Sequence, residues 1–389
     1  MILYLTATAA VIFCSAYVLS AAERQAYAPV PQGMIPRGIL RGRVFLAGIF
    51  AILFLILALR VNVGNDYAKY VEFMHLARFG GYVPTEPGFN LLAWVSYRFF
   101  GKEHYLFCFA FMGFVTVACF LFALDRLSEH FFESFAMFML LGYYFQSIST
   151  VRYYLALAVV SCGIVCLLKD DLPRFVLLVL FAASFHKSAL VVLILYPLAK
   201  CTFSKWFLAV LTAAGAGAFL LREQVLRLVL FLYPTYRETA YAAGGEGSLV
   251  SILRCVAVLA LAAFVDRRSF HGRREPGEEA GIRMRRFCCH CSLLALYLYL
   301  FTGYIPVVSR IGYYLTFTQI FYLPMLIRRI PGERVRRIAA CGAVLCCLGF
   351  FVLLMRHAGD DGMRILPYQT FFFHDMPPIL SDMGYQTGG

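Results

Sequence analysis

Charged side chains are scarce in this sequence. Asp, Glu, Lys and Arg make up only 15% of its 389 residues, whereas 61% of the residues are hydrophobic. Soluble domains carry about 25% charged residues. A water-soluble protein of this length would need a larger polar surface than these residues supply. The composition therefore excludes an ordinary soluble globular protein.

The sequence also lacks the cysteine arrangement of a disulfide framework or a metal site. Most of its thirteen cysteines lie inside apolar stretches, where cysteine behaves as a small hydrophobic residue. In the densest group, Cys288, Cys289, His290 and Cys291 are consecutive at the start of an apolar run. Consecutive residues of a helix point in different directions, so these side chains do not converge on one ion. We therefore interpret the group as helix packing and expect neither a metal site nor a cofactor.

Apolar runs of membrane-spanning length occupy most of the chain. Because about 20 apolar residues cross a bilayer as a helix, we predict an all-α, polytopic transmembrane helix bundle of roughly 10–12 membrane helices, in a single integral membrane domain, 1–389. The first run has no basic residues before it and is interpreted as a retained span rather than a cleaved signal peptide. The runs cover residues 2–20, 44–59, 105–124, 134–150, 153–168, 175–199, 206–221, 249–265, 287–305, 311–327 and 338–355.

Arginines are concentrated in three segments between the apolar runs. By the positive-inside rule these segments face the cytoplasm, which places the tail, 356–389, on the extracytoplasmic side. The net charge of +13 thus reflects membrane orientation, and we expect no nucleic-acid partner. The three segments are 21–43, the charged loop 266–286, and 328–337.

The run 175–199 contains a histidine and a lysine near its middle, His186 and Lys187. Burying a cation in hydrocarbon costs about 2.5–3.5 kcal/mol on insertion scales. Seven apolar runs also separate the first two arginine-rich segments, although an even number of crossings is needed there. A break or re-entrant turn in 175–199 resolves both problems. An additional short span at 89–101 is the alternative.

Polar residues in or beside the apolar runs are candidate functional residues, because a charge in a bilayer core is costly. Arginine binds a diphosphate through paired hydrogen bonds, so the cationic candidates suit a lipid diphosphate. Two acidic candidates also have a structural interpretation: Asp66 as a helix cap and Glu86 as a solvated acid in a Pro-Gly turn. The cationic candidates are Arg60, Arg152, Lys187 and Arg310, and the proton-transfer candidates are Asp66, Glu86 and His186.

In their order along the chain, these residues and their neighbours resemble the motifs of the EpsG family, the Wzy-like polymerases of bacterial exopolysaccharide and O-antigen synthesis. The sequence departs from the family pattern around Arg152, where Ser149 and Tyr153 replace the usual Asn and Gln. The matching pieces are Arg60 with Gly64-Asn65-Asp66-Tyr67 and Tyr70, Glu86-Pro87-Gly88-Phe89, Arg152 with Ala156, Phe185-His186-Lys187-Ser188-Ala189, Arg310 with Tyr314, and Pro367-Tyr368.

The resemblance implies a glycosyltransferase of the bacterial cytoplasmic (inner) membrane. On the outer side of that membrane it would transfer a growing glycan from undecaprenyl diphosphate to the next lipid-linked repeat unit, without a metal. Arg152 and Arg310 would then stabilise the diphosphate. Asp66, Glu86 or His186 would deprotonate the acceptor hydroxyl. The remaining implied substrate-binding residues are Arg60, Tyr67, Tyr70, Lys187, Tyr314 and Tyr368.

Two other membrane functions remain as alternatives. A lipid-linked oligosaccharide flippase would also need many spans and a cationic cavity, but this sequence does not show the two related halves of many transporters. A membrane-bound O-acyltransferase would also place a histidine in an apolar helix, but it leaves Asp66, Glu86 and Arg152 without a role. For the polymerase, the expected partners are membrane lipid, the undecaprenyl-diphosphate-linked glycan and other membrane proteins of polysaccharide synthesis.

Overall fold

The computed structural model of the chain describes residues 1–25, 36–78, 83, 85–101, 104–200, 204–232, 249–265, 279–305 and 308–377. Over these residues the secondary structure is helical, apart from turns and one isolated bridge between Arg60 and Thr370. The structure thus confirms the predicted all-α class. Contacts divide the chain into two compact units, one formed by Met1–Leu190 with Ala340–Gly389 and the other by Val191–Ala339.

In the part of the chain that the structure describes, the first unit contains ten helices before the break near residue 186. They are α1 (Ile2–Ser15), α2 (Ala21–Gln25), α3 (Arg37–Ala58), α4 (Tyr67–Arg78), α5 (Pro87–Phe100), α6 (His104–Leu127), α7 (Phe131–Leu140), α8 (Tyr143–Ser149), α9 (Val151–Leu168) and α10 (Leu172–Phe185). After a 3₁₀ helix (Lys187–Ile194), the chain forms α11 (Leu195–Lys200), α12 (Lys205–Leu220), α13 (Arg222–Leu232), α14 (Leu249–Val265), α15 (Glu279–Thr302), α16 (Val308–Thr316), α17 (Gln319–Arg328) and α18 (Glu333–Arg356).

Among the described residues, four helices are long and apolar enough to cross a membrane, namely α3, α6, α9 and α18. Helices α12 and α13 give a fifth candidate if they are one broken span, bent by 83°. Helices α1, α7, α10 and α14 are apolar but shorter. In α9, 78% of the apolar 18-residue stretch is buried, compared with 22% of the corresponding stretch in α3 and 17% in α18. Helix α9 is therefore central in the first unit, and the apolar outer faces of α3 and α18 suit contact with lipid.

As predicted, the run 175–199 does not form one straight helix. Helix α10 ends at Phe185, and His186 adopts an extended conformation with φ −154° and ψ 107°. The chain then continues as the 3₁₀ helix and as α11. A break of this kind removes backbone groups from the α-helical hydrogen-bond pattern, so they bond elsewhere. The alternative segment, 89–101, lies mostly within α5.

The predicted run 134–150 is also interrupted. Helix α7 ends at Leu140, and α8 begins after Gly142, which has a φ of +77°. Glycine adopts this left-handed conformation without the steric cost that a side chain imposes. The apolar pattern of 134–150 does not predict this break, which turns the chain shortly before Arg152.

Two ion pairs anchor α2 to the neighbouring ends of α6 and α7. Arg24 donates two hydrogen bonds to the Asp125 carboxylate, at 2.7 and 2.8 Å. Glu23 accepts the Ser20 N–H at 2.7 Å and pairs with His130 at 2.9 Å. Burial acts to raise the pKa of Glu23, but the hydrogen bonds and the neighbouring histidine outweigh it and lower that pKa below its ordinary value. These contacts fix the start of the first arginine-rich segment.

In the second unit, α15 packs against α12, α14 and α16. The hydroxyls of Thr212 and Tyr297 lie 2.7 Å apart and join α12 to α15. The clustered cysteines, Cys288, Cys289 and Cys291, are buried within α15. Among the residues that the structure describes, no group of three or more His, Cys, Asp or Glu side chains could hold a metal ion.

Candidate functional site

Arg152 lies in the first turn of α9, directly after the break that follows α8. Its guanidinium forms a salt bridge with the carboxylate of Glu86. The two side chains are only 13% and 15% exposed, so water screens this pair less than a surface pair. The Arg152 Nε atom is buried and has no hydrogen-bond partner within the described part of the chain. Arg152 therefore keeps a donor for another acceptor.

Glu86 precedes α5 and directs its side chain away from that helix. Its backbone carbonyl accepts the Phe89 N–H at 3.1 Å, but its side chain makes no capping bond to α5. Instead, one carboxylate oxygen pairs with Arg152 and the other accepts the backbone N–H of Lys187 at 3.2 Å. This carboxylate therefore links the start of α5, the start of α9 and the break after α10.

Gly88 allows the start of α5 to approach the end of α10. A Cβ atom at this position would lie 2.4 Å from Ser184 Oγ and 2.7 Å from Ser184 O. Real Cβ atoms essentially never show contacts this short, so only glycine fits the observed spacing. The close approach brings Glu86 within reach of the Lys187 N–H.

Two aromatic rings flank the Arg152 guanidinium. Its Cζ atom lies 4.7 Å from the centre of the Tyr70 ring and 5.2 Å from that of Phe89, within the range of cation–π attraction. The Tyr70 hydroxyl donates a hydrogen bond to Asp66 Oδ2 at 2.8 Å. Burial raises the pKa of Tyr70, and the charge of Arg152 offsets this only in part. Tyr70 therefore stays protonated and connects Asp66 to Arg152.

His186 lies at the break and joins the same group of residues. Its ring meets the Tyr153 ring edge-on, with 5.4 Å between centres, and its Nδ1 atom lies 2.7 Å from Ser188 Oγ. The next residue, Lys187, reaches Glu86 through its backbone N–H. We call Asp66, Tyr70, Glu86, Arg152 and His186 the Arg152 cluster.

Arg60, predicted to bind substrate, is fully buried at 1% exposure. Its Nη1 atom donates a hydrogen bond to Ile148 O at 2.7 Å, and its Cζ atom lies 5.8 Å from the Tyr67 ring and 5.5 Å from the Phe109 ring. The Tyr67 hydroxyl donates to Arg60 O at 3.0 Å. Loss of hydration on burial lowers the pKa of Arg60. Arg60 thus joins the α3–α4 connection to α8, and Tyr67 bonds back from α4 to that connection.

The chain after α18 covers the α3–α4 connection. Gly64 N donates to Arg364 O at 2.7 Å, and the Tyr368 hydroxyl donates to Ile56 O at 3.0 Å. Burial raises the pKa of Tyr368 to about 12. Asp66 N donates to Ser149 O at 3.3 Å. The connection is therefore held between the tail and the residues that immediately precede Arg152.

Arg310 and Tyr314 lie one turn apart on α16, in the second unit. Tyr314 is buried and its ring borders an apolar cavity of about 130 Å³. The cavity is lined by Val191, Val192, Ile194, Leu195, Leu294, Leu298, Ile311, Tyr314 and Leu315. Apolar cavities of about 150 Å³ stay dry and accept small hydrocarbons.

Some residues of the site were not assigned a role from the sequence. Phe89 and Ser188 stand inside the quoted motifs, beside Glu86 and His186, and that position was the available signal. The sequence contains no such signal for Ser184, because this residue matters only through its close contact with Gly88. Such a contact exists only in the folded chain.

Residues 43–370, which are most of the chain, match the model of the EpsG family. The matched range includes the whole Arg152 cluster together with Arg310, Tyr314 and Tyr368. No curated protein and no solved structure matches the chain.

Proposed function

The chain belongs to the EpsG family of membrane polysaccharide polymerases, and on that premise we propose which reaction it performs. It polymerises oligosaccharide repeat units carried on undecaprenyl diphosphate, at the outer side of the bacterial cytoplasmic membrane. The growing glycan leaves its lipid diphosphate and is joined to the next lipid-linked unit.

The observation that supports this proposal is the shielded Arg152–Glu86 pair beside the Tyr70–Asp66 hydrogen bond. In the transfer, the acceptor oxygen bonds to the anomeric carbon while the bond from that carbon to the diphosphate breaks. Negative charge then grows on the leaving diphosphate. Arg152, fixed by two rings in weakly solvated surroundings, is suited to stabilise that charge. Arg310 is the second proposed diphosphate ligand.

The acceptor hydroxyl must lose a proton in the same reaction. Asp66, Glu86 and His186 are the proposed proton acceptors, and all three belong to the Arg152 cluster. Asp66 accepts the Tyr70 hydroxyl, Glu86 is paired with Arg152, and His186 Nδ1 contacts Ser188. Each is thus positioned by a second side chain, as general bases in enzymes are.

In the second unit, the apolar cavity beside α16 suits a hydrocarbon chain. The cavity volume of about 130 Å³ is close to that of cavities that hold one small hydrocarbon molecule, and its lining carries no charged residue. A lipid diphosphate also joins a charged head to an apolar chain. Within the second unit, we therefore propose that Arg310 and the adjacent cavity bind a lipid diphosphate.

Polymer formation by the purified protein from lipid-linked repeat units tests the reaction. Arg152→Ala is expected to abolish the polymer, and Arg152→Lys is expected to impair it because lysine lacks the planar fork of arginine. Arg174→Ala is the matched control, since its side chain is 78% exposed. Full polymer from Arg152→Ala at equal protein level contradicts the assignment. Lipid translocation without chain growth would indicate a flippase, and transfer of labelled acyl groups would indicate an acyltransferase.

The proposed orientation has its own test. A single cysteine at Gly277, in the arginine-rich loop 266–286 and outside the described residues, is introduced into a cysteine-free protein. An impermeant thiol reagent added to intact cells should leave it unlabelled, because the loop is proposed to face the cytoplasm. Labelling from outside would reverse the orientation.

A further inference from the structure

The carboxylate of Glu86 forms an ion pair with Arg152, the arginine that the proposed reaction needs to bind the diphosphate. One oxygen pairs with Arg152, and the other accepts the Lys187 N–H at 3.2 Å. The guanidinium is also held by the rings of Tyr70 and Phe89. The charge of Arg152 is therefore compensated, in this structure, by an anion of the protein itself.

A diphosphate cannot simply join this pair. Like charges at contact distance repel strongly where water is largely excluded, and the side chains of Arg152 and Glu86 are only 13% and 15% exposed. Arg152 nevertheless has a donor to offer, because its buried Nε atom has no partner among the described residues. Once Glu86 moves away, the guanidinium can bind a diphosphate with two hydrogen bonds.

We propose that the Glu86 side chain occupies the diphosphate site at Arg152 in the unliganded protein, and that the lipid-diphosphate donor displaces this side chain when it binds. The inference rests on the proposed function. Displacement replaces an arginine–carboxylate pair with an arginine–diphosphate pair and releases the carboxylate next to the bound donor.

The released carboxylate is the group that accepts the proton of the acceptor hydroxyl. The oxygen of that hydroxyl forms the new bond to the anomeric carbon, and the diphosphate leaves with the electrons of the broken carbon–oxygen bond. Glu86 is therefore available as a base only when the donor is bound. In the ion pair, both carboxylate oxygens of Glu86 are already engaged, one by Arg152 and the other by the Lys187 N–H.

Glu86→Gln tests the inference, because it removes the negative charge of the side chain and keeps its size. The variant is expected to bind inorganic pyrophosphate and a short polyprenyl diphosphate at least about tenfold more tightly than wild type, about 1.4 kcal/mol, while it loses polymer formation. Glu72→Gln, a matched loss of one carboxylate on α4, should leave both properties unchanged. Unchanged or weaker pyrophosphate binding by Glu86→Gln overturns displacement. Tighter binding with full polymer formation overturns the proton-accepting step.

A second measurement uses the wild-type protein, since loss of a shielded ion pair can impair folding. Displacement of Glu86 frees the Lys187 N–H, so pyrophosphate should accelerate hydrogen–deuterium exchange of that amide. Exchange that is unchanged or slower overturns the inference. Pyrophosphate binding and amide exchange do not require glycan transfer, so failure of the inference is distinguishable from failure of the proposed function.

Discussion

Gly88→Ala tests whether the close approach of α5 and α10 positions Glu86. The added Cβ atom would lie 2.7 Å from Ser184 O, whereas ordinary van der Waals contact begins at 3.4 Å. The two helix ends must therefore separate by about 0.7 Å, the difference between these distances. Rotation of a side chain cannot relieve this contact, because the opposing atom belongs to the backbone.

The hydrogen bond between the Lys187 N–H and Glu86 does not tolerate that separation. It measures 3.2 Å in the structure, and a contact of 3.6 Å or more is no longer a hydrogen bond. Overpacking of this kind costs about 1–3 kcal/mol. We expect a loss of unfolding free energy in that range, together with a larger fractional loss of polymer formation because the Arg152 cluster is displaced.

Thermal unfolding and polymer formation, measured in the same lipid nanodiscs, check this expectation. Gly349→Ala in α18 is the matched control, since an added Cβ there meets nothing within 4 Å. The double variant Gly88→Ala with Ser184→Ala removes the contact with Ser184 Oγ but keeps that with Ser184 O, so it should recover only part of the loss. Wild-type stability and polymer formation in Gly88→Ala would refute the reasoning.

Three further outcomes are expected. Gly64→Ala should lower the midpoint of thermal unfolding and cost at least about 1–2 kcal/mol, because Gly64 has a φ of +109° and an added Cβ would lie 2.3 Å from Ile148 O. Tyr70→Phe keeps a ring on the guanidinium but loses the hydrogen bond to Asp66, so polymer formation should fall while pyrophosphate binding persists. The lowered pKa of Glu23 means that its carboxylate stabilises the fold at neutral pH, and that this stabilisation is lost as pH falls through the lowered pKa. The protection of the α2 amides against hydrogen exchange should therefore decrease only below the ordinary range of carboxyl pKa values.

Each of these expectations has an outcome that contradicts it. A Gly64→Ala protein as stable as wild type would show that the α3–α4 connection can move. If Tyr70→Phe lost pyrophosphate binding and polymer formation to the same extent, the tyrosine hydroxyl would be assigned to diphosphate binding. For Glu23, an identical acid response in Glu23→Gln would assign the titration to another group.

The membrane class and the main motifs could be predicted from the sequence. Apolar runs and the shortage of charge are local properties, and they suffice to predict a helical membrane protein. The break in 175–199 could also be predicted, because two polar residues in an apolar run signal it locally. The break at Gly142 could not, since an isolated glycine in an apolar run does not reveal its backbone conformation.

The partners of the candidate residues depended on the tertiary structure. From the sequence, Arg60 and Arg152 were both cations at the ends of apolar runs, but the fold buries Arg60 against Ile148 and pairs Arg152 with Glu86. Likewise, nothing in the sequence pairs Glu86 with the Lys187 N–H. The residues that are costly to bury could be identified from the sequence, because that cost belongs to each side chain. The contacts among them could not, because the packing of helices distant in sequence sets those distances.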